Sequence, residues 1–158
     1  MNKQTVHNIL KSEAGVAALA LRVPVGIILV AHGAQKLFGW FGGYGLEGTG
    51  QWMASIGLEP GYLMALLAGS AEFFGGLALI LGLLTRPAAA LSAFTMLIAI
   101  LSVHLEHGFF LSNNGYEYAL ALLAATVALT VQGSGSYSAD NVIADNLKES
   151  SPVNEPSN

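Results

Sequence analysis

The chain has 158 residues, a net charge of −4, 53% hydrophobic residues and only 10% charged ones, with a mean hydropathy of +0.57. Soluble domains carry about 25% charged residues, so this composition speaks against a soluble core, and the lack of a basic patch speaks against nucleic acid as a partner. There is no cysteine, which excludes disulfides, thiol nucleophiles, Fe–S ligation and thiol redox relays built from the chain's own residues.

Residues 1–13 are polar, with Val6, Ile9 and Leu10 on one helical side, the pattern of a short interfacial helix. The first apolar block runs from about Ala14 to Phe38. It contains Arg22 and is too long for the apolar region of a cleaved signal peptide. Pro24 and Gly26 lie inside it, as membrane helices tolerate. The stretch WFGGYGLEGTGQW, Trp40 to Trp52, holds five glycines and reads as a surface or re-entrant loop rather than a fixed helix. No GK[ST] follows to make it a phosphate loop.

The second block, about 60–84, is apolar nearly throughout and carries one acid in its middle, Glu72. Thr85, Arg86 and Pro87 end it, and a third block runs over about 88–107. A connection from Gly108 to Gly115 precedes a fourth, about 116–131, which is short for a span. Residues 134–158 read as a polar, largely mobile tail with a short helix around Val142 to Leu147.

The pattern predicts an all-α membrane protein, a four-transmembrane-helix bundle over residues 14–133. Four spans bring both termini to one side. Lys3, Lys11, Arg86 and Lys148 fall on that side, which makes the termini cytoplasmic by the positive-inside rule. Trp40, Tyr44, Trp52, Tyr62, Phe109, Phe110, Tyr116 and Tyr118 then belong to the opposite interface.

Ionisable groups inside spans are costly and call for partners. At a rise of about 1.5 Å per residue, Arg22 lies about 12 Å and Glu72 about 18 Å above the terminal edge of a core roughly 30 Å thick. This predicts an Arg22–Glu72 pair. Ala65, Ala68, Gly69, Gly75 and Gly76 share the face of Glu72 and turn it toward the interior. Arg22, His32 and Lys36 lie on one arc of the first block, and His104 and Glu117 arrive at the same outer end.

The candidate site is therefore a polar column: Arg22 and Glu72 at mid-membrane, then His32, His104, Lys36 and Glu117 toward the outside. One feature conflicts with it. In the third block the small residues Ala88, Ser92, Thr95, Ala99 and Ser102 form a stripe leading to Glu106, which puts His104 almost opposite. Either that block is interior on two sides or its last turn is irregular. His32 and His104 at similar depth would also suit a bis-histidine haem, a condition that any two outer-end histidines meet. No cofactor motif is recognisable, and no ligand-pair motif supports a metal.

Three stretches, LRVPVGIILVAHGAQKLFGW, AEFFGGLALILGLLTRPAAALSAFTMLIAILSVH and YEYALALLAATVALTVQGSGSYSAD, resemble the DoxX family of small four-helix bacterial inner-membrane proteins over roughly residues 17–141. The most specific part is Glu72 with the GGLALILGLLTR run after it. The resemblance implies a multi-pass protein of the inner membrane. Some relatives serve as the small membrane subunit of quinone-linked oxidoreductases, including thiosulfate:quinone oxidoreductase. Arg22, Lys36, Glu72 and His104 match the family's recurring polar positions, Glu117 matches a further one, and His32 is a less general feature. The acidic tail after Asp140 departs from the family pattern.

The expected function is a quinone-interacting small membrane subunit of an oxidoreductase system. His32, His104 and Lys36 would donate hydrogen bonds to the headgroup, and Glu72 and Glu117 would relay protons. Electrons would come from a redox partner subunit. The alternatives are a non-enzymatic carrier or binding protein for a small molecule, and a structural membrane anchor for partner proteins. Expected partners are the lipid bilayer, a quinone, a redox subunit and a second copy of the chain.

Overall fold

The computed structural model describes residues 3–149. Among these residues the chain is all helical: α1 (Lys3–Leu10), α2 (Gly15–Phe38), α3 (Gly45–Ser55), α4 (Gly61–Leu81), α5 (Thr85–Ala99), α6 (Glu117–Gln132) and α7 (Ala139–Glu149). A π-helical turn, Ile100–His104, prolongs α5 and passes into a 3-10 turn at Leu105–His107. Three segments are long and apolar enough to cross a membrane: Gly15–Phe38, Gly61–Leu81 and Thr85–His107. The fourth apolar helix, α6, has 16 residues, about 24 Å at the α-helical rise.

The four apolar helices form a ring in which α2 packs on α4, α4 on α5, α5 on α6 and α6 back on α2. The core between them is Val25, Leu29, Leu79, Ala89, Met96, Leu122 and Leu129. Outward-facing positions are apolar as well, among them Phe74, Leu81, Phe94 and Val131, as expected where the solvent is lipid.

The α2–α4 contact is the closest, and glycines make it so. A Cβ on Gly26 would lie 2.7 Å from the carbonyl oxygen of Gly76, and one on Gly33 would lie 2.8 Å from that of Gly69. The two backbones touch, which small residues permit and larger ones prevent. The small face of α4 is interior as expected: Ala65, Gly69, Gly75 and Gly76 are buried.

Two sequence expectations give way here. Trp40–Trp52 is not a loop throughout. After a 3-10 turn at Trp40–Gly42, its second half belongs to α3, with Thr49, Gly50 and Met53 buried. The glycines serve the fit: Gly50 and Gly61 are in backbone contact, so α3 lies flat on the start of α4. Packing therefore overrides weak helix propensity.

The segment after Gly133 is likewise not a loose tail in its described part. Ser134, Ser138, Asp140 and Asn141 are buried, and α7 packs on α1. Lys11 Nζ meets Asp145 Oδ1 at 2.6 Å. The side chain of Asn141 clasps the backbone of Ser12, accepting from its N–H and donating to its carbonyl, both at 2.9 Å. The remainder of the tail, 150–158, lies outside the described residues.

Candidate functional site

Arg22 and Glu72 do not pair. Arg22, 2% exposed, turns toward the terminal end of the bundle. Its Nε donates to the Ser134 carbonyl at 3.1 Å and its Nη1 to the carbonyls of Leu79 and Ile80 at 2.8 and 2.5 Å. Nη2 donates to the carbonyl of Tyr137. The Leu79 and Ile80 carbonyls sit at the C-terminal, negative end of α4, where a cation is favoured.

Glu72, 3% exposed, instead accepts from Lys36, Nζ to Oε2, at 2.6 Å. The cause is side-chain direction. Every Cα–Cβ bond of a helix tilts toward its N-terminus. On α2 this sends Arg22 toward the terminal end and brings Lys36 down from the opposite end. On the antiparallel α4 it sends Glu72 up to meet Lys36.

That pair forms part of the wall of a cavity of about 690 Å³ at the end of the bundle away from the termini. α2 contributes Gln35 and Lys36, and α4 contributes Ala68 and Glu72. α3 covers it with Thr49, Trp52 and Met53. Thr95, Ile98, Ala99, Ser102, Val103 and His104 close the side of α5 and its π turn, and Asn114 is nearby. The lining is mainly apolar, with a few convergent polar groups, the usual make-up of a small-molecule site.

The π turn resolves the conflict over His104. A regular helix would carry the stripe Thr95, Ala99, Ser102 on to Glu106. The wider turn at Ile100–His104 shifts the angular position of its later residues, so His104 joins the stripe at the cavity wall. His104 Nδ1 is 2.8 Å from the carbonyl oxygen of Asn114. A carbonyl only accepts, so Nδ1 carries the proton, and Nε2 of the neutral ring holds a lone pair.

The other predicted site residues lie elsewhere. His32 is exposed, with Nδ1 bonded to the Ile28 carbonyl at 2.9 Å and its ring 6.2 Å from that of Tyr118. It does not share the cavity with His104. Glu117 accepts from the backbone N–H of Leu111 at 2.6 Å and holds the connection before α6. Thus Lys36, Glu72 and His104 come together, while Arg22, His32 and Glu117 do not join them. Among the described residues no group of three or more His, Asp or Glu side chains is gathered to hold a metal.

Sequence reasoning missed Trp52, Thr49 and Met53 because it read α3 as loop. Their i, i+3, i+4 spacing was the available signal. A second, smaller cavity of about 470 Å³ shares Trp52, Ser102, Val103 and Asn114 with the first and adds Glu106 and His107.

The architecture and site define a small helical membrane protein with a partly buried Lys–Glu pair at a mainly apolar cavity. The DoxX family profile matches residues 17–105, and the chain belongs to that family. It is 38% identical over 115 residues to a Bacillus subtilis (strain 168) protein named "Putative oxidoreductase CatD", covering 73% of this chain and 79% of that one. It is 30% identical over 135 residues to the inner membrane protein YqjF of Escherichia coli (strain K12), covering 85% and 97%. A third relative, the inner membrane protein YphA of the same organism, is 33% identical over 90 residues, covering 56% of this chain and 60% of that one. No solved structure matches the chain.

Proposed function

We propose that this chain is a quinone-interacting small membrane subunit of an oxidoreductase system, with the cavity beneath α3 as the headgroup site. The observation that carries this reading is the Lys36–Glu72 pair in the wall of a mainly apolar cavity. A quinone, when bound, supplies a couple of two electrons and two protons. The residues fit such a group. Lys36 has three N–H donors and gives one to Glu72, which leaves two for a carbonyl. Glu72 can hold or release a proton beside that carbonyl, and its low exposure keeps bulk water from competing. His104 Nε2 is a second proton acceptor on the opposite wall. Trp52 offers an aromatic face to a planar ring.

Electrons come from a partner subunit in this reading, because the chain has no cysteine and no recognisable flavin or haem motif. The oxidoreductase name of the Bacillus relative supports the class of reaction. We further propose that the terminal end is cytoplasmic, since Lys11 and Arg86 lie at that end.

The test uses the chain's own fluorescence. It has two tryptophans, Trp40 and Trp52, and Trp52 lines the cavity. Trp40→Phe leaves a single reporter at the site. Titration in detergent with short-chain ubiquinone and menaquinone analogues should quench it saturably, with a Kd that rises at least tenfold in Glu72→Gln. Linear, unsaturable quenching that is the same in both proteins would defeat the reading and favour the carrier or anchor alternatives.

A further inference from the structure

α4 and α5 meet at the turn between them and part as they leave it. Near the turn, a Cβ on Gly75 would lie 3.1 Å from Ser92 Oγ, so the helices are in contact. One turn further out, Glu72 on α4 and Thr95 on α5 both border the cavity instead. α3 fills the widening wedge from above, and it packs chiefly on α4 and α2. On the α5 side the cavity wall changes character. Glu72, Thr49 and Met53 are buried, at 3%, 6% and 6%, whereas Trp52 and Ile98 are exposed, at 42% and 36%. Both line the same cavity, whose outer end is also bordered by the exposed residues Gly42, Tyr44, Ser102 and Asn114.

Ile98 lies on the third membrane-spanning segment, 13 residues beyond Thr85, about 20 Å along the helix axis. That depth places it in the hydrocarbon layer rather than in the headgroups.

We infer that the cavity is entered sideways from the bilayer, through a slit between α3 and α5 with Trp52 and Ile98 as its lips, by an amphiphile that leaves an apolar tail in the lipid. This deepens the quinone reading and rests on it only for the identity of the headgroup. The polar head would come to rest between Lys36 and His104. The tail would pass over Ile98, flanked one helical turn away by the uncharged hydroxyls of Thr95 and Ser102, the first of them bonded to the Leu91 carbonyl, and a charged ligand arriving by that path would have to shed its hydration first. Long-tailed ligands then reach the site by diffusion in the membrane plane. A tail-less ligand of the same head is not restricted to that path.

The test exploits the absence of cysteine. Ile98→Cys in the Trp40→Phe background gives one thiol at the slit and one fluorophore beside it. The folded, purified protein in lipid nanodiscs is modified with either a bulky maleimide or a methyl disulfide, so the adduct cannot act through folding. Two quantities are read: quenching of Trp52 by phosphatidylcholine carrying brominated acyl chains, and the association rates of a long-tailed and a tail-less quinone. The bulky adduct should lower the bromine quenching at least twofold. It should slow the long-tailed quinone at least tenfold and leave the tail-less one within twofold, while the small adduct changes neither.

Equal slowing of both quinones would overturn the slit, because the adduct would then be blocking the site and not its mouth. Unchanged bromine quenching and an unchanged long-tailed rate would overturn it too. If neither quinone binds, the quinone reading fails, and the bromine quenching alone decides the route.

Discussion

Arg22 and Glu72 are buried to the same degree, 2% and 3% exposed, yet their surroundings differ in kind. Around Arg22 the partners are backbone carbonyls drawn from α4 and from the segment before α7, and four of its five N–H groups are used. Nearby, Asp140 accepts from the N–H groups of Leu84 and Thr85 at 2.6 and 2.9 Å, while its own N–H donates to the Gly82 carbonyl at 2.9 Å. Leu84 has the left-handed backbone, φ 49°, which an L side chain disfavours by about 1–2 kcal/mol. Asp140 holds that turn and caps α5. Backbone groups occupy both side chains, and little is left on either to bind anything else. Glu72, by contrast, has one side-chain partner, and both members of the pair face a cavity. The contrast belongs to these side chains and not to the two ends as a whole, since Thr85 Oγ1 and Arg86 Nε at the terminal end are buried without a hydrogen-bond partner; what marks Lys36 and Glu72 is that their pair faces a cavity.

That contrast is broken most severely at Arg22. Arg22→Met would strand the carbonyls of Ser134 and Tyr137 and undo the tie between α2, α4 and the final segment. The expected loss is several kcal/mol, at about 1–3 kcal/mol for each buried acceptor left without a partner. Thermal unfolding in detergent, followed by circular dichroism, should show it as a large drop in midpoint or as loss of folded protein. A midpoint within two or three degrees of the parent would mean that the clasp is incidental. Asp140→Ala is the milder version. It uncovers two N–H groups at a helix start, and the expected cost is about 1–2 kcal/mol, read in the same assay, with ligand binding by the surviving folded protein unchanged.

The opposite end should respond in the opposite sense. Glu72→Gln keeps a hydrogen-bond acceptor for Lys36 but removes the charge. Lys36 is partly exposed through the cavity, 23% by side chain, so water can solvate an ammonium that has lost its counter-ion. The unfolding midpoint should therefore move little, while quinone affinity falls at least tenfold. A large stability loss with unaltered affinity would make this pair the same kind of object as Arg22.

Much of the fold was legible in the sequence because hydrophobic blocks and glycine faces report burial directly. The three long spans, and the interior face of α4 around Glu72, follow from residue type and helical period alone. The pairing did not follow, because depth was counted at Cα atoms. Arg22 and Glu72 are close in depth by that count, but their side chains point apart, and Lys36 and Glu72 point together. Two other features needed the tertiary structure. α3 is rich in glycine, and only its fit against Gly61 explains a helix there. Asp140 and Asn141 read as part of a solvated tail, and nothing local reveals that their partners are Leu84, Thr85 and Ser12, more than 50 residues away in each case.

The smallest expected effect separates the cavity histidine from its look-alike. By sequence, His32 and His104 are equivalent: they lie on different helices near the same end. In the structure both rings donate Nδ1–H to a backbone carbonyl, which fixes the same tautomer in each. Only His104 borders the cavity. If that location is what matters, His104→Ala should weaken binding of the quinol form, whose hydroxyl can donate to Nε2, about three- to tenfold, the equivalent of about one neutral hydrogen bond, and His32→Ala should leave it within experimental error. Gln at position 104 offers an amide in place of the ring and should restore part of the affinity. Equal effects at the two histidines would return the site to the column of charges that sequence alone suggests, with its centre on α2 and not on the π turn.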